Sequence, residues 1–203
     1  MQKNSKLPEK FVLSRAPKEY LKQGWSHCGA FSIKGILGAY NKDVEKNPRE
    51  YHIFWWNRIT GAGLYRNYYV DVLKKYGIDA DARNANSLYD NQKLTLLKKL
   101  LRKNIPVMVL IGNGYLSNGK YSPFRASIIS HWLTVWGYND KEKVFYVYDS
   151  CVPKEFYDKG IPIGNKKRTY SEVLRDWKGA IITRFILGWG KNFYIQIEGI
   201  KNE

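Results

Sequence analysis

The reactive side chains of this sequence are few, and four of them stand in an order that suits acyl transfer: Gln23, Cys28, His131 and Asp149. A thiol can attack a carbonyl, an imidazole can take its proton, and a carboxylate can hold the imidazole in one tautomer. An amide just upstream of the thiol can donate to the developing oxyanion. Cys28 falls at the expected start of a helix, where unpaired N–H groups and the dipole favour negative charge. Gly29 follows and leaves room for backbone to approach a substrate carbonyl. Taken singly, each residue has a plainer reading. A free cysteine is commonly a small buried apolar group, His131 a satisfied strand-end histidine, Asp149 a turn former and Gln23 a solvated loop residue.

The elements around them strengthen the case. Ile128–Tyr138 and Val144–Asp149 read as two strands around the polar turn Asn139-Asp140-Lys141-Glu142. A turn centred on Asp140 sets His131 directly opposite Asp149, with Cβ atoms about 5 Å apart. A slip of one residue would separate them. Upstream, Ile33, Ile36, Leu37 and Tyr40 have helical spacing, with Ser26 as the expected N-cap. Asn47-Pro48 opens a second helix through Tyr51 to Trp56. Tyr65 to Tyr76 forms a third that Gly77 stops, and Leu94, Leu97, Leu100 and Leu101 line a fourth. Ile105–Ile111 then reads as a strand, and 112–127 as loop. Thr169-Tyr170-Ser171-Glu172 has the form of a capping box before a short helix to Trp177. Ile181–Leu187 and Phe193–Ile197 read as strands. Helices first and antiparallel strands second argue an α+β fold, an N-terminal helical lobe packed on a C-terminal antiparallel sheet. Residues 1–20, with Pro8 and Pro17, read as an extended arm before a single domain at 21–203.

Length and composition bound the rest. The chain has 203 residues, 44% hydrophobic and 26% charged, which is ordinary globular composition and excludes intrinsic disorder. No apolar run suits a signal peptide or a membrane helix, so the cytoplasm is the default location, with export lacking a cleaved signal left open. Two cysteines make no disulfide framework, and three histidines show no zinc-ligand spacing. The chemistry requires no metal and no cofactor. The net charge of +16 asks for an anionic partner. A nucleic-acid module would use the runs Lys98-Lys99, Arg102-Lys103 and Lys166-Lys167-Arg168 with exposed aromatics. No helix-turn-helix, RRM or finger signature accompanies them, and they read first as solvated faces. A peptide-binding pseudoenzyme is a third reading, opposed by the presence of all four site residue types. Tyr115, Tyr121 and Trp132 are candidates for a substrate cleft, His27 is a spare candidate base, His52 reads as structural, and Cys151 stands two residues after Asp149.

The motifs then carry a resemblance. Gln-Gly-Trp-Ser-His-Cys-Gly-Ala at 23–30, Ser-His-Trp-Leu-Thr-Val-Trp-Gly-Tyr-Asn at 130–139 and Val-Phe-Tyr-Val-Tyr-Asp-Ser at 144–150 resemble the C39-like cysteine peptidases of the papain-like fold. Asn104–Val109 and Tyr170–Trp177 are similar to the family as well. The resemblance implies Cys28 as nucleophile, His131 as base and acid, Asp149 as orienting group and Gln23 in the oxyanion hole. It also implies a peptide or protein substrate, and the charge favours an acidic one. Gln23 stands one residue nearer the cysteine than is usual in papain-like enzymes. No exporter segment is present, so no double-glycine specificity is carried over.

Overall fold

The computed structural model describes residues 7–116 and 120–200. The first six residues of the expected arm and residues 117–119 of the expected loop lie outside them. The architecture is α+β: a seven-stranded antiparallel sheet with helices packed against it. The strands are β1 (Lys10–Val12), β2 (Ile78–Asn84), β3 (Val107–Gly112), β4 (Ser130–Asn139), β5 (Val144–Tyr148), β6 (Lys166–Thr169) and β7 (Phe193–Ile200). Their order is β2-β7-β3-β4-β5-β6. The long strand β4 pairs with β3 through residues 130–135 and with β1 through Gly137–Asn139. The described part of the arm is therefore extended, and it contributes an edge to the sheet.

Helix α1 (Cys28–Ala39) packs on β4, and it is buried from Gly29 to Gly38. Gly35 of this helix lies against the ring of Tyr148, which stands opposite Thr134 of β4, and Ile33, Ile36 and Leu37 join the buried core. The expected N-cap moves by one residue. His27, in a left-handed conformation (φ 77°), precedes the helix, and no side chain caps it. The second expected helix divides. Asn47 caps a 3₁₀ turn, Pro48–Tyr51, and α2 (Trp55–Thr60) follows separately. Helix α3 (Tyr68–Lys75) is shorter than expected and leaves Tyr65 outside, while Gly77 adopts the positive φ that ends it. Helix α4 (Asp90–Arg102) buries Leu97, Leu100 and Leu101 as its spacing predicts, while Leu94 is only partly buried against the same core.

Strands β2 and β6 were not legible. A short helix, α5 (Pro123–Ile128), interrupts the expected loop. It crosses close over the end of β3, where a Cβ on Gly112 would stand 2.1 Å from the Ala126 carbonyl oxygen. The capping box is realised in α6 (Tyr170–Asp176). Glu172 N–H donates to Thr169 Oγ1 at 3.2 Å, and Thr169 N–H donates to the Glu172 carboxylate at 2.8 Å. Ile181–Leu187 is not a strand. Residues Ile182–Ile186 form a π-helical turn, because that apolar run finds no strand to pair with.

Candidate active site

Strand β4 enters the site with His131, fully buried beside Ser130. Beyond β5 the chain bends at Asp149, which is also fully buried. The Asn165 side chain pins that bend, accepting from Asp149 N–H at 2.8 Å and donating to Asp149 O at 2.9 Å. His131 Nε2 then lies 2.7 Å from Asp149 Oδ1. The contact expected from the hairpin forms, but its register differs. Thr134 faces Tyr148 where a turn centred on Asp140 sets Tyr146, and a bulge near Trp136 absorbs one residue of the offset. The shift at Thr134 is even, so the side chains keep their face. Carried onward, this register sets residue 151 opposite His131.

Cys151 is indeed the residue that meets the other edge of the imidazole. Its sulfur lies 3.4 Å from His131 Nδ1, and its backbone N–H donates to Asp149 Oδ1 at 3.0 Å. Burial opposes a charge on His131, but the Cys151 sulfur and the Asp149 carboxylate outweigh it and hold its pKa well above the ordinary imidazole value. Burial likewise opposes ionisation of Asp149. His131 and Arg168 overcome it and keep that carboxyl well below the usual range. These three side chains also have donor atoms close enough together for a metal ion. Asp149 is already committed to His131 and Arg168, so a metal would have to break the imidazole–carboxylate contact.

Arg168 is the residue that sequence reasoning misplaced. Read as part of a solvated basic run, it is 5% exposed and bridges Asp149 Oδ2 (2.6 Å) to Asp176 Oδ2 (3.2 Å). Asp176 in turn accepts from Tyr121 Oη at 2.6 Å, and Tyr115 lies under the Arg168 guanidinium. Alternation in β6 sets residues 166 and 168 on one face and 167 on the other, a signal that can be read only once the strand is known. The rest of the run is paired rather than free: Lys166 with Asp158 (2.8 Å) and Lys167 with Glu142 (2.5 Å). Lys98 pairs with Asp140. Lys98, Lys166, Lys167 and Arg168 are thus held in ion pairs within the protein, while Lys99 and Lys103 of the first run are exposed.

Cys28 stands at the first turn of α1, half-buried and free. Among the described residues its sulfur shares no hydrogen bond with His131, whose two ring nitrogens go to Asp149 and Cys151. The space against Gly29 is filled by Tyr69, whose ring carbon would lie 2.0 Å from a Cβ there, so Gly29 serves packing within the protein. Gln23 is buried and joined to the same bend as Asp149. Its backbone N–H donates to Ser150 O at 2.9 Å, and its Oε1 accepts from Ser150 Oγ at 2.5 Å. That leaves the amide NH₂ without a partner among the described residues. Gln23, Asp149 and Cys151 line a cavity of about 1180 Å³ that Tyr115 and Arg168 also border. Trp132 does not reach it, being buried against Tyr69, Trp189 and Phe193.

Behind Cys28 lies a second buried histidine cluster. His27 Nδ1 is 3.2 Å from His52 Nε2, and His52 Nδ1 is 2.9 Å from Tyr68 Oη. His52 follows a 3₁₀ turn and is not in mid-helix. Burial lowers both imidazole pKa values, His52 to about 4, with His27 and Arg58 adding to that shift.

A family model described as the Peptidase_C39 like family matches residues 14–175. The chain belongs to that family. Among curated proteins none matches it in sequence. Solved structures share the fold, two of them as follows. A double glycine motif protease from an AMS/PCAT transporter, crystallised in complex with the leader peptide, is 16% identical with a TM-score of 0.53. The match covers 93% of this chain and 94% of that one. Xylellain, a cysteine protease from Xylella fastidiosa, is 12% identical with a TM-score of 0.56, covering 96% and 87% of the two chains. The C39-like chain thus has the papain-like α+β fold. Among its described residues, no helix is long and apolar enough to cross a membrane.

Proposed function

We propose that this C39-like chain is a cysteine peptidase in which Cys28 is the nucleophile, His131 the base and acid, Asp149 its orienting partner and Gln23 an oxyanion donor. The observation that carries the reading is the 2.7 Å contact of His131 Nε2 with a buried, ionised Asp149. That contact fixes Nε2 as the held nitrogen and leaves Nδ1 to exchange protons with a thiol. In the reaction Nδ1 takes the Cys28 proton, and the sulfur attacks the peptide carbonyl carbon. The Gln23 amide and the backbone N–H at Cys28 donate to the tetrahedral oxygen. The imidazolium then protonates the leaving amine, and water hydrolyses the thioester. At rest Nδ1 faces Cys151, so Cys28 must take that place when it reacts. The peptide complex of the related transporter protease supports a peptide substrate. Lys22 and Lys159 on the cavity wall favour an acidic one.

One observation favours a second reading, that Cys151 itself is the nucleophile, because its sulfur is the one 3.4 Å from Nδ1. Hydrolysis of a fluorogenic peptide library by Cys28→Ala and Cys151→Ala decides between them. The first should lose activity by about 10³-fold or more while Cys151→Ala retains it. The opposite pattern transfers the role to Cys151. Activity in both variants would end the cysteine-peptidase reading.

A further inference from the structure

We propose that α5, Ile129 and the Ile182–Ile186 turn form a docking surface for an anionic phospholipid bilayer. The two segments belong to one edge of the molecule. Helix α5 lies over the end of β3, and Ser130 Oγ, directly after Ile129, donates to Thr183 Oγ1 of the turn at 3.2 Å. Seven large apolar side chains on these segments face solvent. Phe124, Phe185 and Ile186 are 76%, 68% and 74% exposed, and Ile128, Ile129, Ile181 and Ile182 accompany them. Single exposed apolar residues are ordinary, but a cluster of this kind marks an interaction site.

Charge selects the occupant. Residues 121–129 and 178–191 contain no Asp or Glu, and they carry Arg125, Lys178, Arg184 and Lys191. The Nε atoms of Arg125 and Arg184 are buried with no hydrogen-bond partner, and Arg184 stacks over Phe185 at 4.7 Å. Two guanidinium groups set among apolar side chains and lacking acids are suited to phosphate headgroups above an acyl layer. The exposed apolar cluster on α2, with Trp55 and Ile59, differs on this point, because its Arg58 is already paired with Glu50 at 2.6 Å. A second copy of this chain would bring like charges face to face. The net charge of +16 adds attraction toward an anionic leaflet. The surface ends at Ser130, next to His131, so a docked molecule would hold its candidate site near the membrane. The inference does not depend on the peptidase reading, because its readout is binding.

Co-sedimentation with phosphatidylcholine vesicles, with and without phosphatidylglycerol, tests it on the full chain. The wild type should pellet with the anionic vesicles only. F185S/I186S, two exposed positions, should weaken that binding more than about tenfold with an unchanged melting temperature. Phe124→Ser offers the same test on α5 should the double variant fail to fold. R125Q/R184Q should reduce the preference for phosphatidylglycerol. Absence of vesicle binding overturns the proposal. So does wild-type binding by both serine variants, which would show bulk charge acting alone. A dimer dissolved by F185S/I186S in size-exclusion chromatography would give the surface to a second copy and overturn it too.

Discussion

The molecule holds two buried histidine clusters, and they are tuned in opposite directions. His131 and His52 are each 1% exposed. His131 touches a carboxylate and a thiol and is held protonated more readily than free imidazole. His52 touches another imidazole and a phenol and is held neutral down to a pKa of about 4. Burial is common to both, so burial is not what separates them. The sign of the neighbouring charge is. Arg168 adds to the difference, since together with His131 it keeps Asp149 ionised where desolvation would neutralise it. One cluster is therefore suited to proton transfer. The other supports the left-handed turn at His27 that sets the start of α1.

The largest test of this contrast removes the carboxylate. Asp149→Ala removes the partner of the imidazole and one of the two carboxylates that hold the buried Arg168 charge. It should abolish peptidase activity and lower stability by about 3–5 kcal/mol in urea unfolding. A loss below about 1 kcal/mol would mean that the network holds little of the fold. Next in size is the neutral cluster's response to acid. His52 has a depressed folded pKa, so the unfolded chain binds more protons between about 6.5 and about 4. Stability should fall as pH drops through that window, by roughly 3 kcal/mol at most from this group. His52→Asn should flatten the slope of urea midpoint against pH there, whatever its effect at pH 7. The charged cluster behaves oppositely. The contribution of His131 is complete below about 6.5 and is lost as pH rises through its raised folded value, and that of Asp149 is lost only in strong acid. The smallest effect belongs to Arg175. It meets the same Asp176 at 2.8 Å but is 43% exposed at its side chain. Arg175→Ala should cost under about 1 kcal/mol, which would confine the network's energetic weight to its buried members.

The sequence made the framework readable because local signals agree with the final packing. The leucines of α4, the capping box of α6 and the apolar spacing of α1 each name one structure. The β4–β5 hairpin was legible in its strands but not in its register, since the bulge near Trp136 and the true turn at Asp140–Lys143 leave no separate mark. The start of α1 at a left-handed His27 was hidden, because positive φ is uncommon for any residue but glycine. Ile181–Leu187 has strand-like composition, yet whether such a run pairs depends on a neighbour that local sequence does not reveal. Of the site, His131, Asp149 and Gln23 do meet one bend of chain. Arg168 escaped because a charged residue in a basic run looks like surface, and Cys151, although two residues past Asp149 and so on its face, gave no sign that it would meet His131. Their roles arise only when β6 and the bend at Asp149 come together.

The central claim is that His131 serves Cys28, and the rate at which iodoacetamide labels Cys28 tests it most directly. Labelling is followed by mass spectrometry at pH 7 in Cys151→Ala and in the same protein carrying His131→Ala. The account predicts that loss of His131 slows labelling of Cys28 by more than about tenfold, because the thiol loses the base that takes its proton. Equal rates at Cys28 in the two proteins would contradict it.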